Sequence, residues 1–280
     1  MAKISSALRI LLGFTVLGLG FALWSVVLIA LLPWRIARIK ACNAFGSIVG
    51  RAVYYCSGCK LSIKGQEHVQ IDRPAIYISN HTSVLDIFLG IWLSPMGTVG
   101  IAKESIVYYP LFGQIYYLSG HLRIDRSNPR AAIRSMKKLA DYVKEHRLSI
   151  FMWPEGTRAR DGRLMPFKKG VGHLALKTGL PIVPMVVKGA HKAWEKNTLS
   201  LRKVPIEVEF LPLVETTDWR SGNLEEKLNA INQQFIDVLP SDQHPGIVPA
   251  PEQDENPDLN QVVEGVAAKM EVSLGKKDAA

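Results

Sequence analysis

Residues 73–93 read RPAIYISNHTSVLDIFLGIWL, and the fold class turns on how that stretch divides. RPAIYISN (73–80) is an apolar run closing on polar residues, the pattern of a buried strand. TSVLDIFLGIWL (82–93) reads as a helix, and Ser83 followed by Asp86 has the spacing of a capping box. His81 therefore lies between the end of a strand and the start of a helix, with Asp86 in the first turns of that helix. Open α/β sheets place their sites at the carboxyl ends of strands.

Downstream the same alternation continues. GTVGIA (97–102), the run ending at HLRIDR (121–126), LSIFMW (148–153), LPIVPMVV (180–187) and PIEVEFL (205–211) read as strands. NPRAAIRSMKKLADYVKEHR (128–147) reads as a helix, with Asn128 as N-cap, Pro129 at the first position and Ile133, Met136, Ala140 and Val143 on one face. VGHLALKTG (171–179) is a short helix stopped by Gly179. NLEEKLNAINQQFIDVL (223–239) is another, with Leu224, Leu228, Ile231, Phe235 and Val238 along one side. Strands alternating with helices predict an α/β domain over residues 61–240, a largely parallel sheet flanked by helices.

Upstream lies a different kind of sequence. Ile10 to Trp34 is a run of 25 residues without a charge. As a helix it spans about 37 Å, against about 30 Å of hydrocarbon. It has no polar face, is too long for a signal-peptide apolar region and is followed by no small-residue cleavage site. Residues 1–60 are thus expected to anchor the chain in a membrane, the run at 35–60 being basic and amphipathic and lying along the headgroups or returning as a shallow second helix. Lys3 and Arg9 precede the apolar run, and Arg35, Arg38 and Lys40 follow it. That bias puts the rest of the chain in the cytoplasm, on the inner membrane in a bacterial cell.

The net charge of the 280 residues is +9, the last forty carrying −5 and the remainder +14. Basic surface beside an anchor predicts attraction to an anionic membrane surface. Nucleic acid is not an expected partner, since no basic motif is interleaved with aromatics. Residues 241–280 are acidic and Pro-rich and are expected to be a disordered tail, with a short helix around 259–271. Cys42, Cys56 and Cys59 include one C-x-x-C pair but no second pair to complete a zinc site, so they read as ordinary side chains of a reducing compartment. No metal and no cofactor are expected.

His81 and Asp86 form H-x-x-x-x-D, a pattern that seven histidines yield by chance roughly 0.4 times, so position matters more than spacing. If the turn folds back, the carboxylate meets one imidazole nitrogen, fixes the tautomer and leaves the other nitrogen as a base. A helix-start aspartate beside a loop histidine explains this segment equally well. A second cluster, WPEGTRARDGRLMPFKKG (153–170), crowds Glu155, Gly156, Thr157, Arg158, Arg160, Arg163, Lys168 and Lys169 into a loop after a buried strand. Arg158 and Lys168 suit a phosphate, and Gly156 permits close backbone approach. A solvated basic loop with Glu155 as counter-ion is the plainer reading. HLRIDR adds Arg126 at another strand end. There is no G-x-S-x-G, no Walker A loop, no G-x-G-x-x-G and no H-E-x-x-H. A base without a nucleophile of its own implies a substrate that brings its own hydroxyl.

Taken in order, NHTSVLD, RIDR, WPEGTRARDGRLMPFKKG and PIVPMVV resemble the four sequence blocks of the glycerolipid acyltransferase family, and within it the 1-acyl-glycerol-3-phosphate acyltransferases. The resemblance spans about residues 60–215. It implies transfer of an acyl group from acyl-CoA or acyl-carrier protein to the free hydroxyl of lysophosphatidic acid, giving phosphatidic acid at the membrane face. It implies a catalytic dyad of His81 and Asp86. It ties Arg126, Glu155, Gly156, Thr157, Arg158 and Lys168 to the phosphate-bearing acceptor, adds Pro184 from the fourth block, and adds Lys103 as a further cation. Trp153 departs from the pattern, which usually has Phe there. Two other readings remain at this point: a different lysophospholipid or lyso-aminolipid acceptor, or a non-catalytic lipid-binding membrane protein.

Overall fold

In the computed structural model the described residues are 2–109, 112–125, 129–194 and 200–246. The elements in chain order are α1 (Ala2–Ala30), α2 (Arg35–Cys56), β1 (Lys60–Lys64), β2 (Ile76–Ser79), α3 (Leu85–Leu93), β3 (Thr98–Lys103), α4 (Phe112–Ser119), β4 (Leu122–Ile124), α5 (Pro129–Glu145), β5 (Ser149–Met152), α6 (Gly170–Thr178), β6 (Ile182–Lys188), α7 (Ala190–Ala193), β7 (Pro205–Phe210) and α8 (Leu224–Val238). Seven strands form one sheet in the order β1-β7-β6-β2-β5-β3-β4. Every pairing is parallel except β6 with β7. β2 lies centrally, flanked by β5 and β6, and all four of its residues are buried. That is why its sequence is an unbroken apolar run and not an alternation.

The pleat sends successive side chains to opposite faces. Ile76, Ile78 and Ile150 join a core with Val171, Leu174, Leu228 and Phe235, beneath α6 and α8. Tyr77, Phe151 and Val183 join a second core with Leu85, Leu89 and Tyr54, beneath α3 and α2. Full burial of one such side chain is worth about 1.5–3 kcal/mol. Gly179 ends α6 in a left-handed conformation, as its position predicts. Along α5 the inward stripe runs through Met136, Leu139, Ala140 and Val143, whereas Ile133 is 68% exposed. Ala132, one position round the helix, takes the inward place instead.

α2 packs along its length on the domain. Asn43 donates from Nδ2 to Thr98 O and accepts at Oδ1 from Gly97 N and Thr98 N. A Cβ on Gly46 would fall 2.0 Å from Ile91, so only glycine permits this approach. α1 runs antiparallel against α2. Trp24 stacks on Phe45 and donates to Ala41 O, while Arg9 at the other end donates to Ser57 O and Leu201 O. The outer face of α1 stays apolar and exposed at Leu12, Leu19, Leu23 and Ile29. Among the described residues one helix, Ser5–Ala30, is long and apolar enough to cross a membrane. The boundary expected at residue 60 is therefore no break in packing, because α1, α2 and the sheet belong to one compact unit ending at Pro245.

The boundary expected at 240 also falls later. Ser241–Gln243 forms a 3-10 turn, and Gln243 is fully buried. Its side-chain oxygen accepts from Gly189 N and its backbone oxygen from Leu164 N. The expected helix at 259–271 lies outside the described residues, as does the rest of the acidic tail beyond 246.

Candidate active site

β2 ends at Ser79, and the chain must then turn into α3. Asn80 fixes the start of that turn: its amide exchanges two 2.8 Å hydrogen bonds with the backbone of Val187 on β6. Asp86 fixes the end. Its Oδ2 accepts from Thr82 N at 2.5 Å and Ser83 N at 2.7 Å, and lies 3.2 Å from His81 Nδ1. Half of the capping box expected from Ser83 and Asp86 is thus present. The other half is not: Ser83 Oγ donates to Trp194 O instead, and accepts from Leu85 N. The same carboxylate that starts the helix orients the imidazole. With Nδ1–H donated to Asp86, Nε2 carries the lone pair, and among the described residues no protein group occupies it. The His81 side chain is 14% exposed, whereas Asp86 is fully buried.

The loop after β5 closes on this turn. Glu155, 1% exposed, accepts the His81 amide at Oε1, and Ala159 N donates to His81 O at 2.8 Å. The Trp153 indole stacks on the His81 ring, with centroids 4.5 Å apart and an interplanar angle of 21°. Lys168 N donates to Pro154 O, which closes the loop on itself. Gly156 has φ +76°, and a Cβ there would meet the Lys168 side chain at 3.1–3.2 Å. The exposed Lys168 therefore lies across the glycine. Burial raises the Glu155 carboxyl well above its ordinary value; the His81 amide opposes this and neighbouring Asp86 adds to it. Arg158 is half-buried. Burial lowers its guanidinium pKa, against the pull of Asp86 and Tyr109.

The structure thus brings His81, Asp86, Glu155, Gly156, Arg158 and Lys168 to the carboxyl ends of the inner strands β2 and β5, with Thr157 half-buried in the same loop. Glu155 is not placed to face solvent as a binding group. It is turned inward, one oxygen on the His81 amide and Oε2 without a hydrogen-bond partner. Lys103 is exposed at the carboxyl end of β3. Pro184, expected with the binding residues, is buried inside β6 opposite Ile78, and its carbonyl accepts from Leu211 N. Its part is in the sheet. Arg126 lies outside the described residues. The stack of Trp153 on His81 was not anticipated, although a bulky aromatic at the end of a strand adjoining β2 was a readable signal. No cluster of metal-ligating side chains occurs among the described residues.

Comparisons with known proteins address the family of the chain. The family described as Acyltransferase matches residues 60–188. A 1-acyl-sn-glycerol-3-phosphate acyltransferase of Limnanthes douglasii is 46% identical over 240 residues, 86% of this chain and 85% of the relative. One of Cocos nucifera is 46% identical over 242 residues, covering 86% and 78%. One of Escherichia coli is 32% identical over 190 residues, covering 67% and 75%. The crystal structure of the 1-acyl-sn-glycerophosphate acyltransferase PlsC from Thermotoga maritima superposes with a TM-score of 0.69 at 20% identity, over 84% of this chain and 95% of that one, which shows a common fold. With a family match over the region that carries His81 and Asp86 and relatives this similar over most of their length, the chain belongs to the glycerolipid acyltransferase family.

Proposed function

We propose that this enzyme transfers an acyl group from acyl-CoA or acyl-carrier protein to the sn-2 hydroxyl of 1-acyl-glycerol-3-phosphate. One observation carries the mechanism: His81 Nδ1 is engaged by buried Asp86, which leaves Nε2 open as a base. Nε2 takes the proton of the acceptor hydroxyl, and the oxygen adds to the thioester carbonyl. The tetrahedral intermediate collapses with cleavage of the C–S bond. The imidazolium returns its proton to the departing thiolate, so an ester and a free thiol result. Asp86 holds the tautomer and stabilises the transient cation. Arg158, which feels the charge of Asp86 and shares a loop with Lys168, suits the acceptor phosphate, and its planar fork fixes orientation as a point charge does not. Glu155 acts through His81, by holding its backbone.

The exposed apolar face of α1 supports membrane association. Because α1 lies along α2, and α2 along the domain, insertion of that face brings the domain against the bilayer surface. The cations Arg35, Arg38 and Lys40 favour the cytoplasmic side. The test is the purified protein in detergent, given acyl-CoA or acyl-carrier thioester and a panel of lysolipids. Phosphatidic acid formed from lysophosphatidic acid, and lost with His81→Ala, is the expected result. Turnover confined to another lysolipid overturns the acceptor, and no turnover with any thioester overturns the enzymatic reading.

A further inference from the structure

Trp153 is the one large side chain at the site that the acyl transfer described above leaves without a part. β5 sends Phe151 to the face shared with Tyr77, and Trp153 packs partly against that same core. The indole meets Phe151 edge-on, with centroids 5.0 Å apart and planes at 83°. Its face is thereby held against the His81 imidazole at 4.5 Å. The indole Nε1 is buried without a hydrogen-bond partner, so no polar contact accounts for the ring's placement. The imidazole is bounded by Asp86 at one edge and by Trp153 on one face. Rotation of the ring would break both contacts.

We infer that Trp153 is a positioning residue that stabilises the imidazolium form of His81, an inference resting on the reading of His81 as the base. The ring is neutral before proton transfer and cationic after it. A cation within about 6 Å of an indole centroid is attracted by the negative face of the ring, and Trp is the strongest of the aromatic partners. The attraction appears only as charge develops, so it lowers the barrier instead of tightening ground-state binding. The titratable groups in contact with His81 are Asp86 from α3, on its ring, and Glu155 from the loop after β5, on its backbone amide; Arg158 of that loop and His191 of α7 both feel the charge of Asp86. Asp86 acts on the cation through one edge of the ring, and Trp153 acts through its face.

The experiment uses the full chain in detergent and compares Trp153→Phe with Trp153→Leu. It measures kcat, KM and the titration of the His81 ring by NMR, the His81 signal being identified by its loss in His81→Gln. Stacking favours the protonated ring, so its removal moves the titration to lower pH. Trp153→Leu is expected to do this and to lower kcat about tenfold with little change in KM. Trp153→Phe keeps a stack and is expected to fall between Leu and the native enzyme in both measures. A ring that titrates at the same pH in all three proteins overturns the inference, even if Trp153→Leu melts earlier. A titration that moves while kcat stays constant overturns the positioning role. The ring titration is read without turnover, so it stands apart from the reading of His81 as the base, which fails if His81→Gln retains activity.

Discussion

Asp86 is fully buried, and its Oδ2 meets two amides and an imidazole, whereas Leu19 and Leu23 on α1 stand 69% and 74% exposed. Around His81 polar groups have left water: Asp86 Oδ2 and Glu155 Oε1 find protein partners, whereas Asp86 Oδ1 and Glu155 Oε2 find none among the described residues. Along the outer face of α1 apolar groups remain in the place of water, and no described side chain covers them. A buried polar cluster is specified by geometry, so small displacements matter there. An exposed apolar face is specified by area, so the identity of each residue matters less than its hydrophobicity. The two regions should therefore fail separately when mutated.

The largest expected effect lies in the polar region. His81→Ala should lower kcat by about 10²–10⁴-fold and leave binding to lipid vesicles unchanged. Turnover within threefold of the native rate would show that Nε2 is not the base. Arg158→Lys comes next, with kcat reduced about tenfold and KM for lysophosphatidic acid raised, because the bidentate fork is lost while the charge remains. If melting temperature and activity fall together with KM unchanged, Arg158 is a structural residue.

Glu155 divides the polar region further. Glu155→Ala strands the His81 amide and should cost about 1–3 kcal/mol in denaturant unfolding. Glu155→Gln keeps an acceptor there and should cost less. The carboxyl is held above its ordinary value of 4.5 in the folded chain, so the folded state holds that proton more tightly than the unfolded one. The stability contributed by this one group is fully present below about pH 4.5 and is lost as pH rises through the raised folded value. Glu155→Gln should flatten that slope, and equal slopes in the two proteins would show that the carboxyl does not titrate anomalously. The smallest effect on catalysis belongs to α1. Leu19→Asp with Leu23→Asp should weaken vesicle binding at least tenfold, on the order expected from apolar area alone, while kcat in detergent and melting temperature hold. A fall in melting temperature would place those residues in the protein core instead.

The two regions also differed in how far the sequence revealed them. Ile10–Trp34 declares its apolar character by composition, since its 25 residues carry no charge. The strand–turn–helix at 76–93 was readable because β2 is buried on both faces and α3 follows at once. β1 was missed because KLSIK carries lysine at each end of a partly exposed edge strand, and hydropathy there is weak. α4 was missed because its eight residues, FGQIYYLS, give too short a period. At the site, the residue types of Asp86 and Glu155 could be read but their directions could not. Both are carboxylates near His81, yet one orients its ring and the other its backbone. That difference depends on which loop crosses which, and only the packed sheet supplies it.

Gln243 carries a consequence for trimming the chain. It sits beyond α8, yet it supplies the acceptors for the amides of Leu164 and Gly189, in the loops after β5 and β6. Cleavage at Pro240 would remove both acceptors and leave two amides to find other partners, at about 1–3 kcal/mol each if they stay buried. Truncation after Gln243 should therefore keep both acceptors and melt close to the full chain, whereas truncation at Pro240 should melt earlier. A shorter fragment should be the one that chaperones and proteases recognise as unfinished.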